Sequence, residues 1–202
     1  MGPLILGAFA FLLFYLHDYR QLKEPDKAFS YLFYIGIGCL CISTGVIVTE
    51  ACLSISNHWA KVAAWLFLSL FFCILLFYTL FLALPYSATY RSPSGGRPLV
   101  AHGVYALCRH PGILWFTAIY VCLWQAVGGR MLFYAAVLFS GLNLFYAAIQ
   151  DRWVFPRQFD EYDRYRKEIP FLIPNLRSIR RCMETLPRSR YHVKDQGGRH
   201  DL

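Results

Sequence analysis

Apolar runs recur along the chain, separated by short polar breaks, and the pattern ends abruptly near residue 150. A helix that crosses a bilayer needs about 20 mainly apolar residues for a hydrocarbon core of about 30 Å. Residues 29–49, 60–84 and 131–149 meet that length. Residues 111–127 are shorter, but they end in Gly128-Gly129-Arg130, a tight turn that returns the chain into the membrane. Residues 3–16 are the shortest run, and their competing reading is a cleaved signal peptide. Against that, Met1-Gly2-Pro3 lacks a basic start and no small-residue cleavage site follows. The pattern predicts an all-α, polytopic membrane helix bundle of about five spans.

After residue 149 the periodicity changes. Pro156 suits the first turn of a helix, which predicts a second, cytosolic helix over 156–167. Phe159, Tyr162 and Tyr165 would share one face, with Asp160–Arg164 and Asp163–Lys167 as i,i+4 ion pairs on the other. Such an amphipathic helix suits a membrane surface. Ile169-Pro170-Phe171-Leu172-Ile173-Pro174 is apolar and too short to span, so it should pack against the body. Residues 1–174 thus read as one membrane domain, and 175–202 as a basic, partly disordered cytosolic tail.

Composition sharpens this picture. Hydrophobic residues make up 57% of the 202 and charged ones 16%, against roughly 25% charge in a soluble domain. A soluble globular domain is excluded. With five spans and a cytosolic C-terminus, eighteen of the twenty Lys and Arg fall on the inner side and only Lys61 and Arg130 outside. That bias predicts an outer N-terminus and an inner C-terminus. It also accounts for the net charge of +8 without a nucleic-acid partner. The tail offers a contact for anionic lipid headgroups. The seven cysteines show neither a disulfide nor a metal pattern, and no metal site is expected.

Three features carry candidate chemistry. Arg109-His110-Pro111 stands where the long connection 85–110 meets a membrane helix, and Pro111 fits the first helical position. A helix start flanked by these donors can hold an anion; the competing reading is a helix start with an arginine reaching to the interface. Asn143, Tyr146 and Gln150 lie at i, i+3, i+7 on one face of the last span, with Asp151 at its end. Polar groups in hydrocarbon face other helices or a cavity. Tyr105, Trp115 and Trp153 lie near the same inner boundary, in an interfacial belt or beside a bound cation.

The run Gly103-Val104-Tyr105-Ala106-Leu107-Cys108-Arg109-His110-Pro111 resembles the G-x-Y-x-x-x-R-H-P motif of the isoprenylcysteine carboxyl methyltransferase and phospholipid methyltransferase superfamily. Phe159-Asp160-Glu161-Tyr162-Asp163-Arg164-Tyr165, followed by Pro170-Phe171-Leu172-Ile173-Pro174, is similar to that family's downstream F-G-x-E-Y-x-x-Y…P-x-x-x-P pattern. The resemblance covers residues 82–174. It implies a membrane enzyme that takes S-adenosylmethionine from the cytosol and methylates a lipophilic acceptor. It assigns Tyr105, Arg109, His110 and Pro111 to the cofactor. The family's acidic pair after the last span reads Gln150-Asp151 here, so Asp151 keeps the charge. Asn143, Tyr146 and Trp115 are then candidates to line the acceptor cavity. Two other classes stay open. NADPH-dependent sterol-type reductases carry R-H-P before Asn-Tyr, where this chain has Gly112-Ile113, and a non-enzymatic lipid-binding protein needs no cofactor.

Overall fold

The computed structural model describes residues 1–23, 30–52, 59–83, 99–159 and 161–186, and every regular element among them is helical. Helix α1 is Gly2–Lys23, α2 is Ser30–Cys52, and α3 is Trp59–Phe77, prolonged by a π-turn at Tyr78–Leu82. A short helix, α4, spans Val104–Leu107, and α5 spans Pro111–Val127. Helix α6, Arg130–Ile149, continues through a π-turn at Gln150–Val154 into a last turn at Phe155–Gln158. Two further helices follow, α7 at Tyr162–Glu168 and α8 at Leu176–Thr185.

Four of these are long and apolar enough to cross a membrane: Gly2–Lys23, Tyr31–Cys52, Trp59–Leu82 and Arg130–Gln158. The shorter apolar helix Pro111–Val127 joins them. The chain has the build of an integral, multi-pass membrane protein. Its surface agrees: Phe67, Leu70, Phe71, Ile74 and Phe77 of α3 are exposed, and a helix that is apolar all round is solvated by lipid rather than water.

The chain divides into two compact units, Met1–Leu76 with Ile113–Gln158, and Phe77–Gly112 with Phe159–Leu202. In the first unit, Ala10, Phe11 and Phe14 of α1 form a core with Ile47, Phe116, Tyr120, Leu132, Ala135 and Phe139. Small residues let these helices approach. A Cβ on Gly7 would stand 2.1 Å from the Phe139 ring, and one on Gly36 would stand 2.5 Å from Phe14. Ser43 Oγ, fully buried, donates to the Pro3 carbonyl at 2.6 Å and ties α2 to α1. Tyr120 and Thr44 share a hydroxyl–hydroxyl bond of 2.5 Å. Such bonds and close backbone approaches hold helices together where hydrocarbon solvates apolar faces equally well. Gly128 and Gly129, with φ of 77° and 86°, make the expected turn between α5 and α6.

Several expectations need correction. The first span runs to Lys23, not residue 16, because its polar residues 17–18 are satisfied inside the bundle. No new helix starts at Pro156 to run to 167. Instead α6 widens into a π-turn, in which Phe155 N–H donates to the Gln150 carbonyl, and continues past the proline. Proline lacks the N–H of the α-ladder and its ring crowds the carbonyl four residues back, so a widened turn just before it accommodates both. A separate α7 begins only at Tyr162. Along it Arg164 pairs with Glu168 at 3.3 Å; the expected partner Asp160 lies outside the described residues, as do the connection 84–98 and the tail beyond 186. The segment 175–186, part of the tail expected to be partly disordered, is a capped helix. Asn175 Oδ1 accepts from Ser178 N–H at 2.8 Å, and Ser178 Oγ accepts from Asn175 N–H at 3.0 Å, a reciprocal capping box.

Candidate functional site

The second unit is organised around the motif residues. Gly103, at φ 61°, turns the chain into α4. Its N–H donates to Thr185 Oγ1 at 2.9 Å, which anchors α4 to α8. Tyr105 extends from α4, and its hydroxyl donates to the Thr79 carbonyl in the π-turn of α3 at 2.9 Å. The Tyr105 carbonyl accepts from the Tyr165 hydroxyl of α7 at 2.7 Å. Tyr162 and Tyr165 are both buried, with ring centroids 5.8 Å apart. Burial of two rings with a satisfied hydroxyl explains why α7 packs where it does.

Arg109, His110 and Pro111 follow α4 directly, and α5 starts at Pro111 as expected. The Arg109 N–H donates to the Pro170 carbonyl at 2.9 Å, and the His110 N–H to the Phe171 carbonyl at 3.3 Å. The two stretches singled out in the sequence, 103–111 and 159–174, therefore meet along their backbones at Arg109–Pro170 and His110–Phe171. Phe171 fills the angle between them. Its ring lies 5.0 Å from the His110 ring and 5.5 Å from the Arg109 guanidinium carbon, a cation–π arrangement. His110 is buried and Pro111 fully so. The backbone N–H groups of 109 and 110 are engaged by the chain itself, which leaves their side chains and the first turn of α5 as the further donors at this turn. The apolar 169–174 stretch serves here as the strap that fixes the Arg-His-Pro turn. Nearby, burial pushes the Cys108 thiol up to about 11.

A second cluster lies in the first unit, at the C-terminal end of α6. Tyr146 Oη donates to Asp18 Oδ2 at 2.6 Å, and Gln150 Nε2 donates to the same oxygen at 2.8 Å. His17 Nδ1 stands 3.2 Å from Asp18 Oδ1. The polar face of the last span is thus met by a carboxylate from α1, the inter-helix bonding that polar groups in a span require. Asp151, in the π-turn, is 3% exposed. A carboxylate so buried is retained as an anion only where cationic or hydrogen-bonding groups compensate it. π-turns inside helices are frequent at functional sites. Tyr19 stacks on Trp153 with ring centroids 5.8 Å apart, and Arg157 lies over the same indole at 4.9 Å.

The structure therefore joins Tyr105, Arg109 and His110 in one network, and Tyr146 with Gln150 in another. Trp115 stacks on Phe72 at 6.1 Å, within the first unit. Asn143 is half-buried on α6, one turn before Tyr146. The sequence reading missed His17 and Asp18 because it ended the first span before them. Their signal was the helical spacing that carries on from Tyr15 to Asp18 and Tyr19, past Leu16. Among the described residues no group of His, Cys, Asp and Glu is placed to hold a metal. No family model, no curated protein and no solved structure matches the chain, so the functional reading stands on these side chains.

Proposed function

We propose that this chain is an S-adenosylmethionine-dependent membrane methyltransferase of the isoprenylcysteine carboxyl methyltransferase-like kind, acting on a lipophilic acceptor. The observation that carries the reading is the pairing of the two motif stretches: Arg109 and His110 bond the Pro170 and Phe171 carbonyls, and Tyr165 bonds the Tyr105 carbonyl. Two short motifs 50 or more residues apart are not drawn into one hydrogen-bonded unit by composition alone; Tyr105 and Tyr165 are separated by 60 positions.

S-adenosylmethionine carries a carboxylate and a sulfonium cation. In this reading the carboxylate is held by Arg109, His110 and the first turn of α5, where the helix dipole favours negative charge. The resemblance assigns Asp151 to the same cofactor, and a carboxylate suits its sulfonium cation. Methyl transfer to a carboxylate or thiolate needs little acid–base help, so positioning and exclusion of water are the chain's main contributions. An acceptor with a lipid tail reaches the site laterally from the bilayer. The Lys and Arg bias favours an outer N-terminus and a cytosolic C-terminus, and in this reading the Arg-His-Pro turn faces the cytosol.

The test is calorimetry on the detergent-purified chain, with S-adenosylmethionine and NADPH titrated in parallel. Saturable binding of the former is expected, weakened about tenfold or more in His110→Ala and in Asp151→Ala, as for loss of one hydrogen bond to a charged group. Binding of NADPH alone moves the protein to the reductases. Binding of neither, with the helical circular-dichroism spectrum intact, leaves a non-enzymatic lipid-binding role.

A further inference from the structure

Helix α8 is divided lengthwise into three sectors. Ser178, Cys182 and Thr185 form one; Ser178 and Cys182 are buried, and Thr185 is bonded to Gly103 of α4. Arg177, Arg180, Arg181 and Glu184 form the second. The third consists of Leu176, Ile179, Met183 and Leu186, spaced i, i+3, i+7, i+10, within an arc of about 80° at 3.6 residues per turn. These four are not core residues: they are 87%, 38%, 62% and 43% exposed. Ile173, just before the helix, adds to them at 80%.

An isolated exposed leucine means little, but a continuous apolar stripe along a helix marks a contact surface. What covers it follows from the charges beside it. The helix carries three arginines against one glutamate; Arg180 pairs with Glu184 at 3.0 Å along the helix, Arg181 turns toward Glu168, and the sector as a whole borders the stripe with a net positive charge. An apolar stripe bordered by arginine is the arrangement of helices that lie in the bilayer interface. The chain has four helices long and apolar enough to cross a membrane, so a lipid surface is the apolar partner nearest to hand. We infer that α8 is an interfacial helix that docks on an anionic lipid surface, with Leu176, Ile179, Met183 and Leu186 in the acyl region and Arg177 and Arg180 at the phosphates. Arg181 is the inner pivot: its guanidinium bonds Glu168 of α7 at 2.9 Å and keeps α8 tied to the motif-bearing unit. Lipid binding by α8 would therefore be felt by the strap that holds Arg109 and His110, through α7 and α4. The inference does not depend on methyl transfer.

The test uses the full chain in proteoliposomes, with the exposed Cys41, Cys52 and Cys73 replaced by alanine. A nitroxide is attached through Met183→Cys or, in a second sample, Glu184→Cys. Both sites are exposed, and Glu184→Cys gives up only the surface ion pair with Arg180. In vesicles containing one-third phosphatidylglycerol, the label at 183 should collide with oxygen in preference to a water-soluble nickel chelate, and the label at 184 should do the reverse. Adding Arg177→Gln or Arg180→Gln should shift the docked fraction about fivefold per arginine, the worth of one basic residue at an anionic surface. Equal nickel access at 183 and 184 would mean a solvated helix and overturn the inference. A label at 183 shielded from both reagents would mean a protein partner or a second copy, and overturn it too. Docking that is the same in pure phosphatidylcholine would remove anionic lipid as the partner.

Discussion

Asp18 shows how one residue can organise the inner end of a bundle. Its Oδ2 accepts from both Tyr146 and Gln150, at 2.6 and 2.8 Å, on a helix otherwise apolar from Leu4 to Leu16. Removing this acceptor takes a charged hydrogen-bond partner from two half-buried donors, at up to about 1–3 kcal/mol for each. Asp18→Ala is therefore expected to lower the thermal unfolding midpoint in detergent more than Tyr146→Phe does, since the latter removes donor and demand together. Equal midpoints for Asp18→Ala and the native chain would show that these bonds carry no stability. Cys108 supplies a second test. Burial raises its thiol from 9.0 to about 11, so the folded state holds this proton more tightly than the unfolded one. Its contribution to stability is complete below pH 9 and is lost as pH rises toward 11. At pH 8 the folded chain should alkylate at exposed Cys52 well before Cys108, and rapid modification of Cys108 would contradict its burial. Residues of this kind were the least legible in sequence. Tyr146 and Gln150 announced a polar face, but their partner lay 128 and 132 positions away, and no local pattern names a long-range acceptor.

Elements were legible where length and hydropathy decide, and missed where a local device overrides them. The spans 29–49, 60–84, 111–127 and 131–149 correspond to α2, α3 with its π-turn, α5 and α6. Pro156 misled because a proline reads as a helix start, whereas a π-turn let α6 pass through it. Asn175 and Ser178 misled in the other direction: a basic composition suggested disorder, and a capping box plus the Thr185–Gly103 bond made a helix. Asn175→Ala is expected to cost about 1 kcal/mol of local helix stability, seen as faster amide exchange over 176–186. Unchanged exchange would show that α8 is held by packing alone. Glu168 links α8 to α7, and its carboxyl is held below the usual range by hydrogen bonds from Arg181 and Arg164. Because the folded pKa is depressed, this link is present above the unfolded pKa of 4.5 and fades as pH falls through the folded value. Amide exchange over the same residues should rise below pH 4.5 in the native chain, once corrected for intrinsic rates, and be pH-insensitive in Glu168→Gln.

At the scale of the whole molecule, hydropathy gave the membrane class outright, while the number of crossings turns on α5. Four helices have the length to span. With four crossings both ends share a side, and with five they are opposed. Helix α5 has 17 residues, about 25 Å at 1.5 Å per residue, slightly under the hydrocarbon thickness. Two features argue that it crosses. Pro111, fully buried, fixes its start beside the polar Arg109-His110 turn. At its other end Gly128 and Gly129 reverse the chain in two residues, and Arg130 begins α6 there, exposed. A cation at that point needs water or headgroups. A shortfall of a few ångströms is met by local thinning of the bilayer at a fraction of a kcal/mol per Å, far less than the several kcal/mol of leaving an arginine in hydrocarbon. His102→Cys and Arg130→Cys, in the background lacking exposed cysteines, should therefore react from opposite sides with a membrane-impermeant thiol reagent. The 102 site should be protected in intact cells and the 130 site labelled. Labelling of both from one side would make α5 re-entrant, and would put the N-terminus and the C-terminus on the same face of the membrane.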